Sequence, residues 1–294
     1  MIALPAAPAL MLRQLRLLAL DAMTAAGVEN PRREADWLLA HALRLTSAQL
    51  LTDTDRLLEP AQALEAWSFI ERRAAREPLQ YILGTQEFQG LEIAVTSDVL
   101  IPRPETGILV EEATQAIGAH PKPVIADVGT GSGCIAIALA KACPCATIYA
   151  SDISWPALAV ARRNAAEHDV ARQVRFVRAD LLNPFAVAPE GVFDAVVSNP
   201  PYVPVGEIEA LEPEVSRYEP HIALAGGIDG LTYYRRLLIA APVLLKLGGH
   251  LIMEVGYGQA HDARKLAEKT GLSVLRCRKD DAGIERVLTL WRPI

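Results

Sequence analysis

From about residue 108 the chain alternates apolar runs with helical segments, and that alternation restricts the fold more than any other feature. "PVIADVGT" (123–130) reads as a buried strand, followed by a glycine-rich turn and the helix "CIAIALAKAC". "ATIYASD" (146–152) is a second strand, with a helix through "PALAVARRNAAEH" behind it. "VRFVRAD" (174–180) and "FDAVVSN" (193–199) are the third and fourth. A long loop leads to the helix "GLTYYRRLLIAAPVLLKLGG" and a fifth strand, "HLIMEVG" (250–256). After a helix near 258–270 come "LSVLRCRKD" and "IERVLTLWR". The short turn around Ala282-Gly283 makes these two antiparallel neighbours. Strands that alternate with helices predict an α/β domain whose sheet is mainly parallel and covered on both faces. The closing hairpin makes it a mixed, seven-stranded sheet.

Residues 1–82 read differently, as a small all-helical domain. Met11, Leu15, Leu18 and Ala22 fall on one helical face. Asn30-Pro31 is a cap and first-turn signal, with Ala35, Leu38, Leu39 and Ala42 at helical spacing behind it. Pro60 opens a further helix striped by Ala63, Trp67, Ile70 and Ala74. Narrow Leu/Ala stripes predict an antiparallel bundle, used for packing or for docking a partner. Residues 83–107 hold a hairpin or linker with alternating Leu91, Ile93 and Val95, then "PRPET". Residues 108–294 are the expected catalytic domain.

Composition sets the outer limits. At 294 residues, 51% hydrophobic and 22% charged, the chain is globular and large enough for two domains. No apolar run reaches the roughly 18 residues of a membrane span. The N-terminal stretch is interrupted by Arg13, Gln14 and Arg16, unlike a secretory leader, so a cytoplasmic protein is expected. A net charge of −6 and no dense basic cluster speak against a dedicated nucleic-acid binder. The four cysteines, Cys134, Cys143, Cys145 and Cys277, have no second ligand pair at zinc spacing, so no metal is expected.

"DVGTGSG", Asp127 to Gly133, lies between the first strand and its helix, where parallel sheets bind ligands. Glycines let the backbone approach a ligand, and the helix start offers free N–H groups. The glycines at 129, 131 and 133 are not spaced as in a dinucleotide fingerprint. Asp152 ends the next strand about 20 residues on, where an acid accepts hydrogen bonds from ribose hydroxyls. Asp180, ending the third strand, could face an adenine. Together these residues predict a nucleoside-containing cofactor.

"NPPY", Asn199 to Tyr202, ends the fourth strand. A residue before proline is pushed to extended geometry, so Asn199 is held at the mouth of the sheet. Pro200 keeps its carbonyl but has no N–H, and both proline rings restrict φ. The Asn199 side-chain oxygen and the Pro200 carbonyl are then two rigid acceptors, with Tyr202 a flat face beside them. Such a set suits a planar –NH2 group. Accepting both of its hydrogen bonds directs the nitrogen lone pair at a methyl donor, for in-line transfer by orientation and electrostatics.

The glycine loop, the acid after the second strand and the antiparallel last strand resemble the Rossmann-like fold of S-adenosyl-L-methionine-dependent methyltransferases. The motif N-P-P-Y occurs in methylases of glutamine side chains and of adenine or cytosine amino groups. "REPLQYILGTQEFQGLEIAV", "VLIPRPETGILVEEA", "RYEPHIALAGGIDGLTYYRRL", "MEVGYGQ" and "KDDAGIERV" are similar to the HemK family, the release-factor glutamine methyltransferases. The resemblance covers nearly the whole chain. It implies methylation of the glutamine side-chain nitrogen in the Gly-Gly-Gln loop of class I peptide chain release factors, with S-adenosyl-L-homocysteine as by-product. It assigns Gly129, Thr130, Gly131, Ser132, Gly133 and Asp152 to the cofactor, with Asp180 and Leu181 beside its adenine. It assigns Asn199, Pro200, Pro201 and Tyr202 to the glutamine, and matches Arg103, Pro104 and Glu105 to the family's "I-P-R-P-[DE]-T-E". Two positions depart from the pattern. Gly107 stands where that stretch ends in an acid, and Leu181 where an aromatic is common. Glu254, ending the fifth strand, either borders the pocket or is a satisfied structural acid.

Two rival enzymes share the acceptor chemistry: a DNA or RNA amino-methylase, and a glutamine methylase of a ribosomal protein. The first needs a basic groove or a target-recognition domain, and the acidic balance and helical N-terminus speak against it. The helical N-terminal domain discriminates the second and reads as the release-factor type. A binding module that kept only the fold does not need the intact glycine loop, Asp152 and Asn199.

Overall fold

A computed structural model of the chain describes residues 10–294. The first nine residues, part of the stretch read above as unlike a leader, lie outside the described residues. The described chain divides into two compact units. One runs to Thr85 and includes Glu212–Tyr218; the other holds Gln86–Leu211 and Glu219–Ile294.

The first unit is helical, as the stripes predicted. Its main helices are Leu12–Ala25, Pro31–Leu43 and Pro60–Ala74, with short ones at Ser47–Thr52 and Leu79–Leu83. The three long helices pack on one another around Leu15, Ala19, Met23, Leu38, Leu39, Ala66 and Ile70. The first helix begins at Leu12, so Met11 is its capping residue and stays half-exposed, and Leu18 is half-buried. Leu12 and Ala19 take the places expected of them. Asn30 and Pro31 do start the second helix, with Pro31 in its first turn.

Glu212–Tyr218 joins this unit by charge rather than by apolar burial. Glu214 accepts from Arg76 through both oxygens at 2.7 Å and pairs with Arg73 at 2.9 Å. Arg73 is buried and also donates to Glu34 at 2.5 Å. Tyr218 donates its hydroxyl to the Ala75 carbonyl at 2.8 Å. Removing one partner of such a buried network strands the other charge, which is what makes the segment hard to detach.

The second unit is built on a seven-stranded mixed sheet. Its strands are β1 (Val124–Val128), β2 (Thr147–Asp152), β3 (Val174–Arg178), β4 (Phe193–Ser198), β5 (Leu245–Glu254), β6 (Ser273–Lys279) and β7 (Glu285–Trp291). Their spatial order is β6-β7-β5-β4-β1-β2-β3. β1 to β5 run parallel, and β7 is antiparallel to both neighbours. The central strands are covered on both faces, which is why Ile125, Ala126 and Val128 are all fully buried. The helix Cys134–Ala142 is apolar on nearly every face and is buried through Ala140. Residues 85–88 and 91–94 form the expected two-stranded hairpin, almost all of it in this second unit.

One element differs from its expectation. The helix read through Gly249 stops at Leu244, and β5 starts at Leu245 instead of His250. The Leu245 N–H closes the last helical bond to the Ala241 carbonyl, and its own backbone is already extended, with φ −74° and ψ 140°. Leu245 pairs with Phe193, and the register then shifts so that Ala195 faces His250. The intervening residues form a bulge, with Gly248 at φ +76°.

Candidate active site

The parallel strands β1 to β4 all end at one edge of the sheet, and the chain leaves each end through a turn. After β1 the turn doubles back over the end of β2. The Gly129 and Thr130 N–H groups both donate to the Ser151 carbonyl, at 2.8 and 2.9 Å. Gly129, Gly131 and Gly133 have φ of +74°, +54° and +83°, a region that L side chains avoid. Thr130 and Ser132, between them, are buried. Thr130 donates its hydroxyl to Asp127 Oδ2 at 2.5 Å. Asp127 is fully buried and its other oxygen has no partner, so burial pushes its carboxyl up to about 7.

Asp152 ties the turn to β2. Its Oδ2 accepts the Gly131 N–H and its Oδ1 the Ser154 N–H, each at 2.9 Å. A second tie was not visible in the sequence. Asn164 is fully buried on the helix Trp155–Glu167. Its Nδ2 donates to the carbonyls of Ser132 and Ala94, at 2.8 and 2.9 Å, and its Oδ1 accepts the Ala94 N–H. The hairpin and the glycine turn therefore share one latch.

These strand ends border a cleft. Gly129, Gly131, Asp152, Asp180, Leu181, Asn199 and Pro201 line it. So do Asp98 to Leu100, Ile153, Pro220, Ile222, Ala223 and Tyr233, none of which had been assigned to the cofactor or the substrate. A side-chain carbon added at Gly129 or Gly131 would meet no protein atom within 4 Å, so that space is left for something else. Asp180 accepts from Arg236 at 2.7 Å. Leu181 has a φ of +54° and brings no aromatic face, while Tyr233 brings one to the same cleft. An open cleft on the helical unit, beside Arg32 and Trp37, has no glycine turn.

Asn199 sits just beyond β4, half-buried at the cleft. Its Nδ2 donates to the Thr106 hydroxyl at 3.2 Å, and among the described residues its Oδ1 accepts no hydrogen bond. Pro200 and Tyr202 are not part of the lining. Tyr202 is clamped from behind: a carbon added at Gly226 would lie 2.7 Å from its Cα, and one at Gly256 2.9 Å from its ring. Its carbonyl accepts from Gln259 at 2.9 Å, and Gln259 is held by Tyr234. Burial, with the nearby Glu254 charge, pushes the Tyr202 hydroxyl up to about 12, so it stays protonated.

The "PRPET" stretch supplies neighbours rather than lining. Arg103 donates to Glu219 at 2.6 Å, and Glu105 is exposed. Thr106 is buried and donates to Glu254 Oε2 at 2.7 Å. Glu254 is 2% exposed, and burial pushes its carboxyl up to about 7. Gly107, where the family pattern has an acid, begins the helix Gly107–Ile117. A carbon added there would lie 2.0 Å from Gln89 Nε2, so the Gln89 side chain fills that space. The described cysteines are all unpaired; Cys134 is buried and Cys145 exposed.

Residues 14–84 match the PrmC N-terminal domain, and residues 105–211 the methyltransferase small domain. The chain is 45% identical over 262 residues to the release factor glutamine methyltransferase of Geobacter sulfurreducens, covering 89% of this chain and 90% of that protein. It is 40% identical over 275 residues to the protein of the same name from Cereibacter sphaeroides, covering 94% and 96%. Among solved structures, a methyltransferase from Pyrococcus furiosus superposes with a TM-score of 0.52 at 20% identity, over 70% of this chain and 91% of that one. The hMettl16 catalytic domain, solved with an RNA hairpin, gives 0.53 at 16% identity, over 81% and 84%. These two structures establish the Rossmann-like methyltransferase fold. The sequence relationship, over both units, goes further: the chain belongs to the release factor glutamine methyltransferase family of S-adenosyl-L-methionine-dependent enzymes.

Proposed function

We propose that this enzyme methylates the side-chain amide nitrogen of the glutamine in the Gly-Gly-Gln motif of class I peptide chain release factors, in the cytoplasm. The observation that carries the reading is the state of Asn199. Its Nδ2 is engaged by Thr106, and its Oδ1 is unpaired at a cleft beside the glycine turn.

The residues present fit S-adenosyl-L-methionine. Gly129 and Gly131 leave open space at a backbone turn for its methionine part. Asp152 has lone pairs left for ribose hydroxyls after accepting two backbone N–H groups. Leu181, Tyr233 and Ile153 offer apolar faces to the adenine end, with Asp180 at its rim. Bound there, this cofactor supplies an electrophilic methyl group on a sulfonium.

The chain's own contribution is orientation. A glutamine amide is a weak nucleophile because its lone pair is delocalised. Asn199 Oδ1 and the Pro200 carbonyl accept its two N–H hydrogens and turn the nitrogen toward the cofactor side of the cleft. Direct, in-line transfer is the reaction this arrangement serves. The methylated nitrogen is strongly acidic before it loses a proton, so no strong base is needed first. The half-buried, clamped Tyr202 keeps Pro200 and Pro201 from shifting.

The test is incubation with labelled cofactor and four acceptors: a class I release factor, its Gln→Ala loop variant, a ribosomal protein and duplex DNA. Label on the release factor alone, mapped by mass spectrometry to the loop glutamine, is the expected result. Label on the ribosomal protein or the DNA overturns the proposed acceptor.

A further inference from the structure

Thr106 ends the 3-10 turn Pro104–Thr106, which runs directly into the helix Gly107–Ile117 with helical backbone, so its side chain is not used as a cap. Its hydroxyl is buried between Glu254 and Asn199. The three residues come from separate elements. Asn199 follows β4, Glu254 ends the adjacent β5, and Thr106 lies before the first helix of the sheet domain.

A hydroxyl has one hydrogen. When Glu254 is ionised, that of Thr106 goes to its carboxylate at 2.7 Å, so toward Asn199 the oxygen can only accept. The atom of Asn199 that it meets, at 3.2 Å, is accordingly the NH2 group. An asparagine amide is nearly symmetric in shape, and nothing in its packing alone distinguishes oxygen from nitrogen. If it turned over, the cleft would face a donor, and the substrate –NH2 would be bound without being oriented for transfer. We propose that Thr106, held by Glu254, is the positioning residue that sets the facing of the Asn199 amide and so presents Oδ1 to the substrate. The inference rests on the proposed role of Asn199.

Neither Thr106 nor Glu254 lines the cleft, so both act through Asn199. A carboxylate that only accepts fixes the hydroxyl, and the hydroxyl fixes the amide. The same logic lets outer hydrogen-bond partners fix the tautomer of a ligating histidine.

The experiment compares Thr106→Val, Thr106→Ser and Asn199→Ala in the full chain. Steady-state kinetics use a class I release factor at pH 8, above the value of about 7 at which Glu254 ionises, and calorimetry uses S-adenosyl-L-methionine. Thr106→Val is expected to lower kcat about tenfold to a hundredfold, the range for losing an outer hydrogen-bond partner that orients another residue. KM for the release factor and cofactor affinity should stay within about threefold, because uniform binding is untouched. Thr106→Ser restores the hydroxyl and should recover kcat to within about threefold. The double variant Thr106→Val with Glu254→Gln leaves no buried charge uncompensated and should show the same kcat loss if the single variant does not fold. Full kcat in the valine variants, with Asn199→Ala inactive, overturns the positioning role and leaves the reading of Asn199 standing. Full turnover in Asn199→Ala overturns both.

Discussion

The Gly131 N–H donates to Asp152 Oδ2 across 2.9 Å, so the glycine turn and the end of β2 form one hydrogen-bonded piece. The other oxygen holds the Ser154 N–H. Asp152→Ala therefore removes a ribose acceptor and frees the turn that faces the methionine part. Cofactor affinity by calorimetry should fall at least about tenfold, which is about 1.4 kcal/mol. Asp152→Asn should fall nearly as far, because its NH2 group must oppose one of the two backbone N–H donors. An unchanged affinity in both variants would remove Asp152 from the cofactor site.

Asn164 carries a heavier structural burden than its helix position suggests. Asn164→Ala strands the Ala94 N–H, the Ala94 carbonyl and the Ser132 carbonyl in a buried setting. Each such group costs roughly 1–3 kcal/mol when unpaired, so a loss on the order of 3 kcal/mol is expected. Urea unfolding of the variant should show it as a lower midpoint. Cofactor affinity should weaken too, since Ser132 belongs to the turn. A midpoint shift too small to resolve would mean that the latch is replaced by other partners.

The two outer glycines of the turn should fail in different ways. At Gly133, φ is +83° and an added carbon would lie 3.0 Å from Ala161 Cβ. Gly133→Ala should cost stability, about 1–3 kcal/mol from strain and crowding together. At Gly129 an added carbon meets nothing within 4 Å. Gly129→Ala pays only the backbone strain, but its methyl stands where the ligand would lie. Its thermal midpoint should change little more than strain requires, while cofactor affinity falls steeply. The reverse assignment of the two phenotypes would place the ligand elsewhere.

Much of this site was legible because local rules sufficed. Apolar runs found every strand of the sheet, and proline geometry singled out Asn199 at the end of β4. Legibility failed where the partner is distant in the chain. Nothing near Thr106 signals Glu254, 148 residues away, and nothing near Asn164 signals Ala94, 70 residues away. Tyr233 lies in a stretch read only as helix, and the fold brings its ring to the cleft that Leu181 leaves without an aromatic. Glu212–Tyr218 joins the helical unit through arginine–glutamate pairs, and a short polar stretch carries no periodicity to reveal that. The overlong helix before β5 shows the same limit: Leu244 and Leu245 are alike in sequence, but only the second pairs with Phe193 and so belongs to the sheet.

The buried carboxyl of Glu254 gives a pH signature with a defined sign. Burial raises it from 4.5 to about 7; Thr106 and Arg286 pull down, and Glu105 pushes up. Tyr202, Tyr234 and Cys134 also face it and stay protonated over this range, each raised chiefly by burial. The folded chain holds this proton up to about 7, whereas the unfolded chain releases it near 4.5. The resulting stability is complete below about pH 4.5 and is lost as pH rises through about 7. Asp127 acts in the same direction, and Glu214, lowered by its arginines despite burial, acts in the opposite one. Glu254→Gln removes only the Glu254 contribution. Its unfolding free energy relative to the parent chain should therefore improve by on the order of 3 kcal/mol between pH 4 and pH 8. Any constant cost of the substitution cancels in that difference. A difference that stays flat across the window would mean that Glu254 ionises at its ordinary value. It would then carry its charge throughout, and the charge on which Thr106 depends would be held without cost to the fold.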